Sequence, residues 1–316
     1  MRADYRKYYD KCILCPRACG VNRNVGEVGY CGQGSKLRVA RSALHYWEEP
    51  PISGTEGSGA VFFSGCNLRC VFCQNYQISS QGMGYEVSVD ELAECFLQLQ
   101  EQGALNINLV TASMHVPAVI MALDAARARG LTLPILYNSS GYESLETLKM
   151  LEGYIDIYLP DYKYYEAELA GQLSGAPDYP VVVRAAIAEM YRQTGPCTFT
   201  DEAISQQPRM VRGTVVRHLV LPGHVKNAKA VLQNLYETYG DQIYISIMSQ
   251  YTPLTSYEQD RLQNLGLNRR ITKREYDKVV DYALELGIEN AYIQDREVAK
   301  ESFIPEFVGE QMQATE

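Results

Sequence analysis

Three closely spaced cysteines, in the segment FSGCNLRCVFCQN at residues 63–75, are the first group in the sequence that could do chemistry. Cys66, Cys70 and Cys73 are separated by three and then two residues, with Gly65 just before them. Three thiolates could bind zinc together with a distant fourth ligand, or the residues could simply pack in a core. An iron–sulfur cluster normally takes four cysteine ligands, so a cluster held by three keeps one iron atom open. The spacing favours this third interpretation, with the open iron as a reactive position.

Four more cysteines lie near the N-terminus, in the pattern Cys12-x2-Cys15-x3-Cys19-x11-Cys31. Four thiols are enough for a closed metal site, and Pro16 and the nearby glycines allow the chain to turn sharply around it. Zinc there would serve structure only, whereas a second iron–sulfur cluster could relay electrons or hold substrate. The sequence does not separate these two metals, and both stay open.

The composition indicates a reducing compartment for these thiols. The 316 residues include nine cysteines and no uninterrupted run of 18 apolar residues, and the N-terminal segment MRADYRKYYDKC is polar. These features predict a cytoplasmic protein without a membrane span. The net charge of −9 argues against a nucleic-acid partner. Residues 1–45 differ from the rest, since nine Lys or Arg against three Asp or Glu make +6 and leave −15 elsewhere.

A regular alternation of short apolar runs and amphipathic segments begins at residue 60. Each run has the apolar character of a buried parallel strand, and each following segment has helical spacing. Six such units predict an α/β fold, either a partial barrel or an open doubly wound sheet, with ligands at the carboxyl ends of the strands. Residues 1–59 lack this periodicity. We therefore predict a Cys-rich, metal-binding N-terminal extension at 1–59, an α/β domain at 60–300 and a tail at 301–316.

The three cysteines follow the first apolar strand, GAVFFSG, and Phe72 comes just before the last of them. This Cys-x3-Cys-x2-Cys pattern resembles the radical S-adenosylmethionine (radical SAM) superfamily, and GCNLRCVFCQN is similar to its pyruvate formate-lyase activating enzyme branch. The wider sequence, from KCILCPRACGVNR through YNSSGY, YLPDYKY, RHLVLPGH and SQYTP, resembles an activating-enzyme-like subgroup of unassigned substrate. The resemblance covers nearly the whole chain. It implies a partial (β/α)6 TIM-like barrel of the radical SAM type with an N-terminal Cys-rich extension.

The resemblance also implies a chemistry. Cys66, Cys70 and Cys73 hold a [4Fe–4S] cluster, and the amine and carboxylate of SAM bind its fourth iron. An electron from a flavodoxin- or ferredoxin-type donor cleaves SAM to methionine and a 5′-deoxyadenosyl radical. This radical takes a hydrogen atom from a protein or peptide substrate, as glycyl-radical activases do. The positive charge of residues 1–45 would suit an acidic donor of the flavodoxin type.

Several residues match positions that contact SAM in the family. Phe72 is implied to lie near the adenine. The family's Gly-Gly-Glu-like element, which holds the SAM amine, is replaced here by VTASMHVP, where Thr111 or Ser113 could serve instead. Asn138 and Ser140, in YNSSGY, could hydrogen-bond the ribose or the methionine part. Short polar residues also form caps where a strand turns into a helix, so this alternative stands beside the first.

Charged and polar residues also occur in or after the later strands. Asp161-x-Lys163, in LPDYK, is similar to the Asp-x-Lys of activating enzymes, in which the Lys meets the SAM carboxylate; a solvated ion pair is the alternative. Arg217 lies inside a predicted strand, where its charge needs either the SAM carboxylate or a buried salt bridge. Gln250 ends the sixth strand and is a further candidate for binding SAM.

Three functions fit these residues. The first is a radical SAM enzyme that abstracts hydrogen from a protein or peptide. The second keeps the same chemistry but acts on a small molecule or a modified peptide. The third is an iron–sulfur electron carrier or a zinc-binding scaffold without SAM chemistry. The open position of the three-cysteine site and the polar residues at several strand ends favour the first two.

Overall fold

The computed structural model describes residues 5–200, 208–253 and 259–294. Within these ranges ten strands form one sheet. The strands are β1 (Leu37–His45), β2 (Ser58–Phe63), β3 (Tyr85–Val87), β4 (Ile107–Val110), β5 (Ile135–Ser139), β6 (Ile157–Pro160), β7 (Thr198–Phe199), β8 (Met210–Leu219), β9 (Tyr244–Met248) and β10 (Ala291–Ile293). The helices are α1 (Pro50–Ser53), α2 (Tyr76–Ser79), α3 (Val89–Glu101), α4 (Val116–Arg127), α5 (Leu145–Met150), α6 (Ala167–Ser174), α7 (Tyr179–Thr194), α8 (Val225–Tyr239), α9 (Gln259–Asn264) and α10 (Lys273–Leu286).

Most strands of the sheet run parallel to their neighbours. The order is β10-β9-β8-β6-β5-β4-β2-β1-β3, and the short β7 pairs with β8. Every pairing from β2 to β10 along this path is parallel, whereas β1 and β3 extend the sheet in antiparallel orientation. Helices connect the successive parallel strands, which is the pattern that the alternation in the sequence predicted. The predicted α/β fold, a partial (β/α)6 barrel, is confirmed.

The strand β1 lies in a segment for which the sequence indicated no regular structure. It pairs with β2 on one side and with β3 on the other, with an irregularity between Val39 and Arg41. Residues 41–45 are half-buried on both faces of the strand. Because the apolar and polar residues of β1 do not alternate, the period of two that identifies a strand in a sequence is missing from it.

Local sequence signals set the ends of several helices. Ser88 and Glu91 form a capping box at the start of α3, in which each side chain accepts the backbone N–H of the other residue. Helix α6 ends at Gly175, whose φ of 63° lies in the left-handed region that favours glycine. Helix α7 then begins after a short turn. The break predicted at GAPDYP, within the helical stretch 165–195, is therefore confirmed.

The two faces of the sheet bury different sets of side chains. Leu109 and Tyr137 join residues of α3 and α4 in one apolar cluster on the helix-covered face. Leu136 and Leu159 alternate to the opposite face and belong to a second, smaller cluster inside the barrel. Asn138 follows Leu136 on this inner face, closer to the carboxyl end of β5. The inner face thus changes from apolar to polar toward the strand ends.

No helix in the described ranges has the length and apolarity needed to cross a membrane. The predicted tail at 301–316 lies outside the described residues.

Candidate active site

The register of the parallel strands places polar side chains around one cavity. Val110 of β4 pairs with Asn138 of β5. Asp161, just after β6, pairs with Arg217 of β8, and Arg217 pairs with Ser246 of β9. All five residues line a cavity of about 610 Å³ at the carboxyl ends of the strands. Barrels of this class bind ligands at this end of the sheet.

The three-cysteine loop follows β2 and forms one side of this cavity. Its three cysteines all line the cavity. Gly65 begins the loop with a left-handed φ of 86°, and its N–H donates to the carbonyl of Ile78 at 2.9 Å. Farther along, the N–H of Val71 donates to the carbonyl of Leu173 in α6, also at 2.9 Å. The structure therefore brings the predicted cluster ligands together on a loop that is hydrogen-bonded at two points.

The thiols of this loop suit a metal centre. Burial raises the pKa of Cys66 to about 12 and that of Cys73 to about 11, and it also raises the pKa of Cys70. Hydroxyl groups lie beside two of the sulfurs, with Ser174 Oγ 2.9 Å from Cys70 Sγ and Ser79 Oγ 3.3 Å from Cys73 Sγ. A buried thiol loses its proton when a metal cation compensates the thiolate charge. These side chains therefore fit a bound metal better than a free nucleophile.

Asp161 and Lys163 line the same cavity after β6, and their side chains form a salt bridge with each other. Burial lowers the pKa of Lys163, but the charges of Asp161 and Cys70 outweigh this effect, so the net pKa lies above its ordinary value. The Lys163 charge in turn favours the thiolate of Cys70. Lys163 therefore stays positively charged beside the three-cysteine loop, where it can bind the carboxylate of a ligand.

Thr111 follows β4 in a backbone conformation that its side chain disfavours. Its φ of 58° lies in the left-handed region, where a β-branched residue is rare. Its N–H donates to the carbonyl of Asn138 at 2.8 Å, and the residue lines the cavity. The glycine-containing element of the family is expected at this position. Thr111 thus adopts a conformation that glycine usually supplies.

Ser113, the other candidate for the SAM amine, lies in a buried network beside the cavity and not in its wall. Its hydroxyl donates to the carboxyl group of Glu143. The hydroxyl of Tyr137 lies 3.3 Å from both Ser113 Oγ and Glu143 Oε2. Burial raises the pKa of Glu143 to about 7. The sequence did not indicate Glu143, because one Glu after the turn YNSSGY carries no sign of burial.

Arg217 reaches the cavity wall from β8, and two glutamates bind it there. Its Nε donates to Glu49 Oε1 at 2.8 Å, and one of its terminal nitrogens donates to Glu49 Oε2 at 2.6 Å and to Glu48. Asn108 Nδ2 donates to the other oxygen of Glu48 at 2.7 Å. Of the two alternatives for Arg217, the structure shows the buried salt bridge. The sequence did not indicate the glutamates, because the segment HYWEEPP has no periodicity.

The other predicted SAM contacts also line the cavity. Phe72 packs edge-on against Tyr251, with ring centres 6.0 Å apart. Gln74 donates to the backbone carbonyl of Gln250 at 3.2 Å, which holds the end of β9 near the three-cysteine loop. Ser140 Oγ accepts the backbone N–H two residues later at 3.4 Å. Ser140 therefore has the turn-forming role of the alternative interpretation as well as a place in the wall.

The N-terminal cysteines lie near one another on a set of turns. The N–H of Cys12 donates to the carbonyl of Val21, and the N–H of Gly20 donates to the carbonyl of Cys12, both at 2.9 Å. Burial raises the pKa of Cys15 to about 12, and neighbouring Cys31 and Cys12 add to this effect. All nine cysteines are free thiols. Within the described ranges, no three His, Cys, Asp or Glu side chains converge as ligands of a single metal ion.

The sequence also matches a known family. Residues 60–193, which begin in β2 and include the three-cysteine loop, match the family model described as the radical SAM superfamily. These residues form a radical SAM domain. Its cofactors are accordingly a [4Fe–4S] cluster and S-adenosylmethionine. Three half-buried thiols that would need a compensating cation as thiolates, with Lys163 beside them for a carboxylate, fit this pair of groups.

Individual relatives are distant. The uncharacterized protein MJ0674 of Methanocaldococcus jannaschii is 24% identical over 294 residues, which cover 91% of this chain and 78% of that protein. A radical SAM methyltransferase from Sphaerobacter thermophilus has a TM-score of 0.49 at 14% identity, over 75% of this chain and 66% of that one. SuiB of Streptococcus suis bound to S-adenosylmethionine has a TM-score of 0.48 at 11% identity, over 73% of this chain and 48% of SuiB. This chain thus spans less than half of SuiB.

Removing one partner from the Arg217 network should destabilise the fold. Glu49→Ala leaves the buried guanidinium without its two-point carboxylate, and we expect the free energy of unfolding to fall by about 3 kcal/mol. Glu56→Ala is the matched control, because Glu56 pairs with Arg209 at the surface, where such pairs contribute about 0–1 kcal/mol. Urea denaturation measures both variants. Equal, small losses would show that the buried network is not needed for stability.

Glu143 should make stability depend on pH. The pKa of its carboxyl rises from the ordinary 4.5 to about 7 on folding, so between these values the folded protein binds more protons than the unfolded chain. The free energy of unfolding therefore falls as pH rises through this window, by at most about 3 kcal/mol. Glu143→Gln lacks this term, so its stability relative to the wild type should increase between pH 5 and pH 8 in urea titrations. A difference in unfolding free energy between Glu143→Gln and the wild type that stays constant from pH 5 to pH 8 would contradict the raised pKa of Glu143.

Proposed function

We propose that this protein is a radical SAM enzyme that takes a hydrogen atom from a protein or peptide substrate. The observation that carries the proposal is one cavity that joins the three cysteines and the polar strand ends to exposed apolar side chains. When bound, the [4Fe–4S] cluster and SAM supply reductive cleavage of SAM and the hydrogen-abstracting radical that results. The residues of the chain bind these groups and place the substrate beside them.

The residues on the side of the three-cysteine loop bind the cofactors. Lys163 supplies the cation for the SAM carboxylate, and its salt bridge to Asp161 orients it. Thr111, at the end of β4, takes the place of the element that holds the SAM amine. Asn138 offers a short amide to the ribose or methionine part, and Phe72 provides an aromatic face for the adenine. Each assignment rests on the position of the residue in the cavity wall.

Another part of the cavity wall suits a peptide. Trp47 and Ile293 line it, although 58% and 47% of their surfaces are exposed. Exposed apolar side chains beside a polar cavity favour contact with another chain. The group formed by Glu48, Arg217 and Glu49 lies in the same wall and offers charged hydrogen-bonding partners. A small molecule could also bind this charged group, which is why the size of the substrate is the quantity to test.

SAM cleavage should depend on the three-cysteine loop. After anaerobic reconstitution with iron and sulfide, the wild type should cleave SAM to methionine and 5′-deoxyadenosine, with dithionite as the reductant. Cys66→Ala, Cys70→Ala and Cys73→Ala should each abolish this product, because each removes a cluster ligand. Cys95→Ala is the control, since Cys95 lies in α3 against Ser42. Absence of the product in the wild type would refute the enzyme function and leave an electron carrier or scaffold. Its formation in the three variants would instead refute the role of the three-cysteine loop.

Deuterium transfer should identify the class of substrate. The reconstituted enzyme is given unlabelled SAM and dithionite, and it is incubated with either the protein fraction or the small-molecule fraction of fully deuterated cells. A protein or peptide substrate predicts deuterium in 5′-deoxyadenosine with the protein fraction only, and a weaker transfer in Trp47→Ala. A glycyl radical signal in that fraction, by electron paramagnetic resonance, would assign activase chemistry. Transfer from the small-molecule fraction alone would contradict the peptide substrate.

A further inference from the structure

We infer that the N-terminal cysteine module, defined as Cys12, Cys15, Cys19 and Cys31, binds a second iron–sulfur cluster that delivers electrons to the three-cysteine loop. The binding of this cluster is independent of the proposed function, whereas the delivery of electrons rests on it. The inference depends on a buried guanidinium beside the module and on the side chains packed between the module and the loop.

Arg23 indicates that the module carries negative charge. Its side chain is 1% exposed, and it donates to the carbonyls of Gly34 and Met114, the latter at 2.7 Å. Its other partners are the sulfur of Cys12, at 3.9 Å, and the ring of Tyr9, 4.1 Å from the guanidinium carbon. None of these four groups is a carboxylate. A buried guanidinium needs an anion, and a metal-bound thiolate at Cys12 would provide it.

The backbone of the module approaches its sulfurs closely. The N–H of Tyr30 donates to Cys19 Sγ at 3.3 Å. A Cβ atom added at Gly29 would lie 3.0 Å from the same sulfur, so the chain passes Cys19 where a side chain would crowd it. Hydrogen bonds from backbone N–H groups to cysteine sulfurs stabilise thiolates and tune the potentials of iron–sulfur clusters. The turns of the module therefore have the chemistry of a cluster-binding segment.

One layer of side chains joins the module to the three-cysteine loop. Arg17 Nε donates to the carbonyl of Asn67 at 2.9 Å, and its guanidinium lies 3.9 Å from the ring centre of Tyr30. Asn67 Nδ2 donates to the carbonyl of Tyr142 at 2.6 Å. Arg69, also in the loop, donates to the carbonyl of Tyr30. Arg69, next to Cys70, thus contacts Tyr30, next to Cys31, directly. Asn67, next to Cys66, is joined to Tyr30 through Arg17.

The two cysteine sites also meet directly through the backbone. A Cβ atom added at Gly65 would lie 2.8 Å from the carbonyl oxygen of Cys31 and 2.5 Å from Cγ of Gln33. Gly65 precedes Cys66, so one van der Waals contact separates a ligand residue of the module from the neighbour of a ligand residue of the loop. The two cysteine sites are therefore packed against each other, as the proposed transfer of an electron between them requires.

An iron–sulfur cluster in the module could transfer electrons, which a zinc ion cannot do. A reduced, low-potential protein of the flavodoxin or ferredoxin class gives one electron to the second cluster, and that cluster passes the electron to the cluster on the loop. The donor is oxidised, the cluster on the loop is reduced, and the second cluster returns to its first state, with no bond or proton changed. Zinc has no accessible redox change and could only stabilise the turns. Cys19 is exposed, which gives the module a face toward solvent and a donor.

Metal analysis tests the binding site. After anaerobic reconstitution with iron and sulfide, the wild type should contain about eight iron atoms, compared with about four in the triple variant Cys66→Ala/Cys70→Ala/Cys73→Ala. Cys12→Ala/Cys15→Ala should also contain about four, and Cys95→Ala should match the wild type. About four iron atoms in the wild type and none in the triple variant, or zinc without sulfide in the triple variant, would overturn the inference.

Electron paramagnetic resonance and reduction kinetics test the electron transfer. In the dithionite-reduced wild type, the two clusters should broaden each other's signals, so that the spectrum is not the sum of the spectra of the two cysteine variants. Reduced flavodoxin should reduce the loop cluster severalfold more slowly in Cys12→Ala/Cys15→Ala than in the wild type, while dithionite reduces both equally. Summed spectra together with equal flavodoxin rates would overturn the transfer of electrons.

A variant that keeps every cysteine guards against a folding defect. Arg17→Leu removes the cation between Tyr30 and Asn67, so it should retain about eight iron atoms and the signal broadening, but flavodoxin should reduce its loop cluster more slowly. Arg129→Gln is the matched control, because Arg129 pairs with Glu94 at the surface. An unchanged rate of reduction by flavodoxin in Arg17→Leu would contradict the role of this layer. If dithionite and SAM gave no 5′-deoxyadenosine in a wild type with two coupled clusters, the proposed function would fail and the second cluster would stand.

Discussion

Buried charge is the constraint on which the rest of this structure depends. The cavity at the strand ends contains carboxylates and cations that are largely removed from water, and each needs a partner. Lys163 is compensated by Asp161, and Arg217 by Glu48 and Glu49. The register of the parallel sheet places these two ion pairs side by side, because Asp161, just after β6, is bridged to Arg217 of β8. The thiols of Cys66, Cys70 and Cys73 line the same cavity, and a metal cation there would compensate their charge as thiolates.

The same constraint connects the N-terminal residues to the barrel, through residues that lie after β1 and through residues that lie before it. Glu48 and Glu49 follow β1 and pair with a cation that lies 168 or 169 residues later. Arg17 and Arg23 precede β1, and they donate to carbonyls in the three-cysteine loop and at Met114. Residues before β2 therefore complete part of the cavity wall and also support the three-cysteine loop. Removing them would leave Arg217 as a buried, unpaired cation.

The regular alternation of the sequence made much of the site predictable. Asn138, Asp161 and Arg217 occupy or follow strands in that alternation, and parallel strands bring their carboxyl ends to one edge, so their convergence could be expected in advance. The roles of Glu48 and Glu143 could not be predicted. Each depends on a partner set by tertiary packing, and an acidic residue in a loop normally faces water.

The segment after β4 shows how packing can hold a backbone conformation that glycine usually supplies. A β-branched residue with a left-handed φ costs on the order of 1–3 kcal/mol, and such a conformation persists only where its surroundings determine it. The bond from Thr111 to the carbonyl of Asn138 and the buried contacts of Ser113 with Tyr137 and Glu143 provide those surroundings. All three of these partners come from β5 or the turn after it. Packing between neighbouring strands therefore holds the edge of the cavity rigid, where a glycine-rich element would rely on the freedom of its own backbone.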